Sequence, residues 1–298
     1  WVVVATVCVL PFAAIGTLCN SVINGQQLYR RYVGLGMLSA LISGGVMLTM
    51  IAFYNIQGAL LAAAVQAALI GVVMLAANLR QPWLKLRYWW GAVEPKARKQ
   101  IGGYMLMAIT SALTVPVSLI VVRNILIDQV GWDATGQWQA VYKISEVYLG
   151  VITMALGTYY LPRLSSLTGV DAIVSEIHKT ARVIIPIVGT MALGVYLLRD
   201  VAISILFTEE FRSARELFAI QLTGDVIKIA SWLYAYPMLS RGATKWFMGT
   251  EILFSLTFVA LTYLFVANMG LKGATVAYLV NYLVYFLSIY LNVKRFAR

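Results

Sequence analysis

Apolar residues fall along this chain in long blocks, not in the short alternation of strands or the one-sided stripes of soluble helices. About 20 apolar residues are enough for a helix rising 1.5 Å per residue to cross a bilayer core. Nine such blocks are read at 1–23, 33–54, 57–79, 103–122, 139–161, 183–199, 216–240, 246–267 and 273–293. The sixth is short, and the apolar stretch 201–207 after it either extends it or lies at the interface. The pattern predicts an all-α integral membrane protein.

Composition supports that setting. Of 298 residues, 61% are hydrophobic and 12% charged, with a mean hydropathy of +0.81; soluble domains carry about 25% charged residues. The net charge is +11. In a soluble protein such an excess points to nucleic acid, but here its placement follows the membrane and no nucleic-acid partner is expected. One set of alternate loops, from Arg30 and Arg31 to Lys294, Arg295 and Arg298, holds sixteen of the 23 basic residues. The intervening loops hold five, and lean acidic at Asp128, Asp133, Asp200, Glu209, Glu210 and Glu216. The positive-inside rule puts the first set and the C-terminus in the cytoplasm. Cys8 and Cys19 lie on one block, roughly 16 Å apart along a helix, too far to bridge each other.

Nine spans ending inside put Trp1 on the outer side, which reads as a chain lacking upstream helices. An internal repeat agrees. Gly58-Ala59-x-x-Ala62 opens the third block and Gly273-Ala274-x-x-Ala277 opens the ninth, at an offset of 215 at which Gln66 also meets Asn281 and Arg80 meets Arg295. The blocks are six apart, which suggests parallel repeats of six spans about an axis along the membrane normal. The expected layout is nine of twelve helices: 1–79 as the last three helices of an N-terminal lobe, 80–101 as a cytoplasmic linker, and 102–298 as a six-helix C-terminal lobe. In the linker, Trp83, Tyr88, Trp89 and Trp90 interleave with Lys85 and Arg87. Such a segment lies in the headgroup region or docks a lipid phosphate.

Enzymatic motifs are missing: no GxxxxGK[ST] loop, no HExxH and no Cys/His cluster. No cofactor or metal is expected, and the sole histidine, His178, reads as a solvated loop residue. What stands out is charge inside the blocks. Lys143 with Glu146, and Asp225 with Lys228, are spaced i, i+3 and share helix faces. Ionised groups at bilayer depth cost about 2.5–3.5 kcal/mol each on insertion scales and face protein or a wet cavity. Polar stripes recur at 100° per residue: Lys143, Glu146, Gly150 and Gly157; Gln221, Asp225, Lys228 and Trp232; Glu251, Ser255 and Thr262; Asn281, Tyr285, Ser288 and Asn292; Ser111, Thr114 and Ser118. Together they outline a hydrated cavity, or else they join helices by hydrogen bonds. Lys143 lies shallow enough to snorkel. Asp225 and Lys228 lie deeper, as a site or as a mutually neutralising structural pair. Glu251 has no local partner and is a candidate for proton exchange. Pro11, Pro116, Pro186 and Pro237 interrupt blocks and are candidate kinks.

The segments Trp132-Asp133 to Trp138-Gln139, Tyr148-Leu149, Tyr160-Leu161-Pro162-Arg163-Leu164-Ser165 and Leu217-Phe218-Ala219-x-Gln221-Leu222-x-Gly224-Asp225-Val226-x-Lys228 resemble the Wzx-type polysaccharide flippases, nearest to those for enterobacterial common antigen and O-antigen. The resemblance implies the multidrug/oligosaccharidyl-lipid/polysaccharide exporter fold, with two six-helix lobes around a cavity. It also implies translocation of undecaprenyl-pyrophosphate-linked oligosaccharides across a bacterial inner membrane. Asp225, Lys228 and Glu251 match charged positions of similar flippases; Lys143 falls where a similar protein has a small polar residue. The expected pathway residues are Asp225, Lys228, Glu251, Glu146, Lys143, Trp232, Asn281 and Tyr285. Lys228 would attract phosphate, the rings would stack on sugars, and Glu251 or Asp225 would couple the cycle to an ion or proton gradient. Expected partners are the lipid-linked glycan, membrane lipids and polysaccharide polymerase components. A small-cation drug exporter and a non-transporting scaffold of the assembly machinery are the alternatives.

Overall fold

Long apolar runs with few helix breakers leave the backbone one economical answer in a bilayer, the helix, which satisfies its own N–H and C=O groups. The computed structural model describes residues 2–85, 91–92, 94–207 and 209–297. The helices are α1 (Val2–Gly25), α2 (Tyr29–Asn78), α3 (Pro95–Ala155), α4 (Leu161–Ser166), α5 (Val170–Leu206), α6 (Phe218–Ser240), α7 (Thr244–Met269) and α8 (Lys272–Phe296). A π-turn, Leu156–Tyr160, joins α3 to α4, and 3-10 turns cover Pro82–Leu84 and Glu209–Leu217. No strand occurs among the described residues. The chain divides into two units, Trp1–Val93 and Glu94–Arg298. Of the aromatic-basic connection, Arg87, Tyr88, Trp89 and Trp90 lie outside the described residues.

Two of the helices are reversals in disguise. α2 leaves helical geometry at Asn55 (φ 51°, ψ −131°) and α3 at Gly131 (φ 86°, ψ 173°). At Gly131 the backbone sits in a region that is essentially glycine's alone. The chain turns there in one residue, so the stretch 123–138, read from sequence as a loop, is helical on both sides of the turn and buries Trp138. The prolines Pro11, Pro116, Pro186 and Pro237 lie inside helices that continue through them. The sixth block and the apolar stretch after it form one helix, α5.

The repeat noted in the sequence extends to the backbone. Asn55 and Gly270 share positive φ and strongly negative ψ (φ 60°, ψ −146° at Gly270) at the same 215-residue offset. Gly58 and Gly273, three residues on, each press against backbone eight residues back, at Met50 and Phe265. Ala62 and Ala277 are buried one turn later. A close helix–helix approach after a one-residue reversal requires small side chains at those positions.

In the second unit α6 is central, packing on α3, α5, α7 and α8. Contacts fix the directions. Tyr148 meets Asp225 and Tyr160 meets Leu233, so the second half of α3 runs parallel to α6. Gly224 meets Tyr278 and Tyr234 meets Tyr290, so α8 does too. Ser111 meets Glu251 and Gln129 meets Tyr263, making the first half of α3 parallel to α7. Phe258 against Tyr278 and Trp246 against Phe296 make α7 antiparallel to α8. Such alternation is what successive membrane crossings give. By length and composition six helical stretches among the described residues are apolar enough to cross a membrane; α6 is not among them. Its polar residues face protein on several sides, so a lipid-like surface is not needed there.

Candidate functional site

A cavity of ≈780 Å³ opens in the second unit between α3, α6, α7 and α8. Seven of the eight residues expected to form a pathway line it: Lys143 and Glu146 from α3, Lys228 and Trp232 from α6, Glu251 from α7, Asn281 and Tyr285 from α8. Ser111, Ser118, Gly150 and Ser255 from the polar stripes join them. The rest of the stripes do not line it. Gln221, Asp225 and Thr262 are buried between helices.

Asp225 therefore departs from the expectation twice. It is fully buried behind the cavity wall, and it makes no ion pair with Lys228. Its Oδ2 accepts from the Tyr148 hydroxyl at 2.8 Å and its Oδ1 from the Tyr278 hydroxyl at 2.8 Å, with Gln221 Nε2 donating to Oδ1 at 3.4 Å. Three donors on three helices, α3, α6 and α8, replace the single cation the sequence suggested. A buried carboxylate is tolerable only with such satisfaction. Tyr278 reaches it because residue 224 is glycine: a Cβ there would stand 2.6 Å from the Tyr278 ring.

Lys228 is half-buried and turns instead to aromatic faces. Its Nζ stands 5.0 Å from the Trp232 ring, 5.4 Å from Tyr282 and 5.7 Å from Tyr278. Cation–π attraction worth about 0.5–2 kcal/mol holds the ammonium while leaving its three N–H donors uncommitted. Lys143 and Glu146 do pair, at 2.8 Å, but the pair is 70% and 42% exposed and contributes little. Glu251, read as lacking a local partner, has one across the helix interface: Ser111 Oγ donates to its Oε1 at 3.3 Å. The Asn281 Oδ1 is buried without a partner.

The residues that sequence reasoning missed are the tyrosines Tyr142, Tyr148, Tyr278 and Tyr282. Tyr148 donates to Asp225, and the other three belong to a chain of ring contacts from Trp138 through Tyr142, Tyr278 and Tyr282 to Tyr285. The spacing of 278, 282 and 285 on one face was a signal, but tyrosines in apolar blocks are ordinary. His178, taken as solvated, is exposed but has its ring edge-on to Tyr234 at 5.9 Å. Among the described residues no cluster of His, Cys, Asp and Glu suits a metal ion.

No protein-family model matches the chain. Two curated proteins do, the lipid III flippases of Escherichia coli (strain K12) and Shigella flexneri, each 34% identical over 231 residues. The match covers 77% of this chain and 55% of each relative, so the chain spans about half their length. Among solved structures, an outward-facing multidrug resistance MATE family transporter of the MOP superfamily gives a TM-score of 0.77 at 17% identity, over 99% of this chain and 70% of that one. A MOP superfamily transporter from Pyrococcus furiosus gives 0.68 at 15% identity, over 100% and 78%. These structural likenesses carry the fold; the sequence likeness carries the kinship. The named relatives are flippases and transporters, not enzymes. This multi-pass membrane chain is therefore similar in sequence to the lipid III flippases over about half of their length, and its fold is that of the MATE-type transporters.

Proposed function

We propose that the chain is part of a flippase that carries the head of an undecaprenyl-pyrophosphate-linked oligosaccharide through the cavity of the second unit by alternating access, with the lipid tail left in the bilayer of a bacterial inner membrane. The observation that carries this reading is Lys228, a cation on a cavity wall held by rings and lacking a carboxylate partner. A pyrophosphate is the complementary ligand, since charge-assisted hydrogen bonds from an ammonium to phosphate oxygens are short and strong. Trp232 and Tyr285 supply flat apolar faces for sugar rings, and Asn281 adds a polar side chain to the same wall.

Coupling to a proton or ion gradient falls to the two carboxylates. Glu251 faces the cavity from α7; Asp225 ties α3, α6 and α8 together through phenol donors. Neutralising either would change contacts between helices, which is what a bias on an inward–outward equilibrium requires. The exporter of small cationic drugs is less well supported, because a free ammonium on the wall repels such cargo. The basic loops argue for a cytoplasmic C-terminus.

The test is complementation of a flippase-deficient bacterial strain by the full-length protein, reading which surface glycan returns. Lys228→Gln, Asp225→Asn and Glu251→Gln variants, expressed at equal levels, should each restore less glycan. Normal restoration by all three would sink the assignment of these residues.

A further inference from the structure

On the far side of α6 from that cavity lies a second hollow, a surface groove of ≈600 Å³ lined by His178, Ala181, Arg182, Ile185, Pro186 and Tyr234. Tyr234 points roughly 160° away from both Trp232 and Tyr236 at 100° per residue, so the two hollows do not share a face of α6. The groove has a polar end and an apolar end along α5. His178 and Arg182 make the first; Ile185 and Pro186 make the second; the Tyr234 ring, packed on Phe286 and Tyr290, makes the floor. Arg182 is the last charged residue before 183–198, sixteen positions without a charge. The groove therefore straddles the level at which a bilayer changes from headgroup to hydrocarbon. Among the described residues Arg182 has no carboxylate partner, whereas the nearby Glu176 is already paired with Arg163 at 3.6 Å.

We propose that this groove is a binding site for an anionic phospholipid of the leaflet on the basic side of the protein, its phosphate between His178 and Arg182 and an acyl chain along Ile185 and Pro186. Charge complementarity selects this occupant. An unpaired guanidinium at headgroup depth matches a phosphate geometrically as well as in sign, and basic hollows between transmembrane helices hold anionic headgroups. A zwitterionic lipid offers the same phosphate but brings its own cation toward Arg182. The site does not depend on the transport reading, since none of its residues lines the larger cavity.

Native mass spectrometry of the purified full chain, titrated with phosphatidylglycerol or phosphatidylcholine, tests it. Arg182→Gln should lower phosphatidylglycerol occupancy about fivefold, the effect of one basic residue near an anionic lipid surface. Phosphatidylcholine retention should not change, and Arg182→Lys should keep most of the binding. Arg182 is exposed, so both variants should fold. Equal occupancy in wild type and Arg182→Gln would overturn the proposal. So would displacement of phosphatidylglycerol by equimolar farnesyl pyrophosphate, which would assign the groove to the transported lipid, or by inorganic phosphate alone, which would make it a general anion site.

Discussion

Asp225 and Lys228 stand three residues apart on α6, and the fold gives them separate partners: tyrosine hydroxyls for one, aromatic faces for the other. This separation makes their variants distinguishable. Lys228→Gln removes a charge from a wall residue whose ring contacts are worth about 1 kcal/mol, so thermal unfolding in detergent should move little while glycan restoration falls about tenfold or more, the weight of one charged hydrogen bond. Tyr278→Phe should behave in the opposite way. It takes one donor from a fully buried carboxylate, a loss of about 1.5–3 kcal/mol visible as a lower unfolding midpoint. Tyr282→Phe, which removes a hydroxyl that makes no hydrogen bond to Asp225, is the control and should be near neutral. Equal midpoints for the two phenylalanine variants would remove the case for the Asp225 cluster as a tie between helices.

Elements are set by the reversals as much as by the helices. Gly131 holds a backbone conformation that a side chain resists, so Gly131→Ala should cost about 1–3 kcal/mol, measured by thermal unfolding. Asn55 holds a conformation that glycine occupies at the equivalent place, Gly270. Asn55→Gly should therefore be neutral or stabilising, and Asn55→Val destabilising, because a β-branched residue is the worst fit to positive φ. The blocks flanking these points were legible in the sequence, since twenty apolar residues in water have few alternatives. The one-residue turns were not. Hydropathy does not register backbone dihedrals, and 123–138 carries enough polar residues to look like a loop while still forming helix on both sides of Gly131.

At the scale of the molecule, the alternating directions of the helices in the second unit accord with alternating loop charge. The orientation that charge predicts is open to labelling. In a variant with Cys8 and Cys19 replaced by serine, a cysteine at Lys294 should react with an impermeant maleimide only after the cytoplasmic side is opened. A cysteine at Lys272, at the other end of α8, should react in intact cells. The reverse pattern would invert the topology and, with it, the leaflet assigned to the α5–α6 groove.

The sequence by itself determined the class, the apolar blocks, the repeat and most of the polar residues that meet in one cavity, because membrane burial taxes charge so heavily that each exception is informative. The tertiary structure decided what each exception faces. Helical periodicity says that Asp225 and Lys228 share a side of α6, but not that Gly224 admits Tyr278 to the carboxylate, that Ser111 crosses from α3 to Glu251, or that Arg182 meets Tyr234 in a groove of its own. Those pairings join residues tens of positions apart, and only the packing of the helices brings them together.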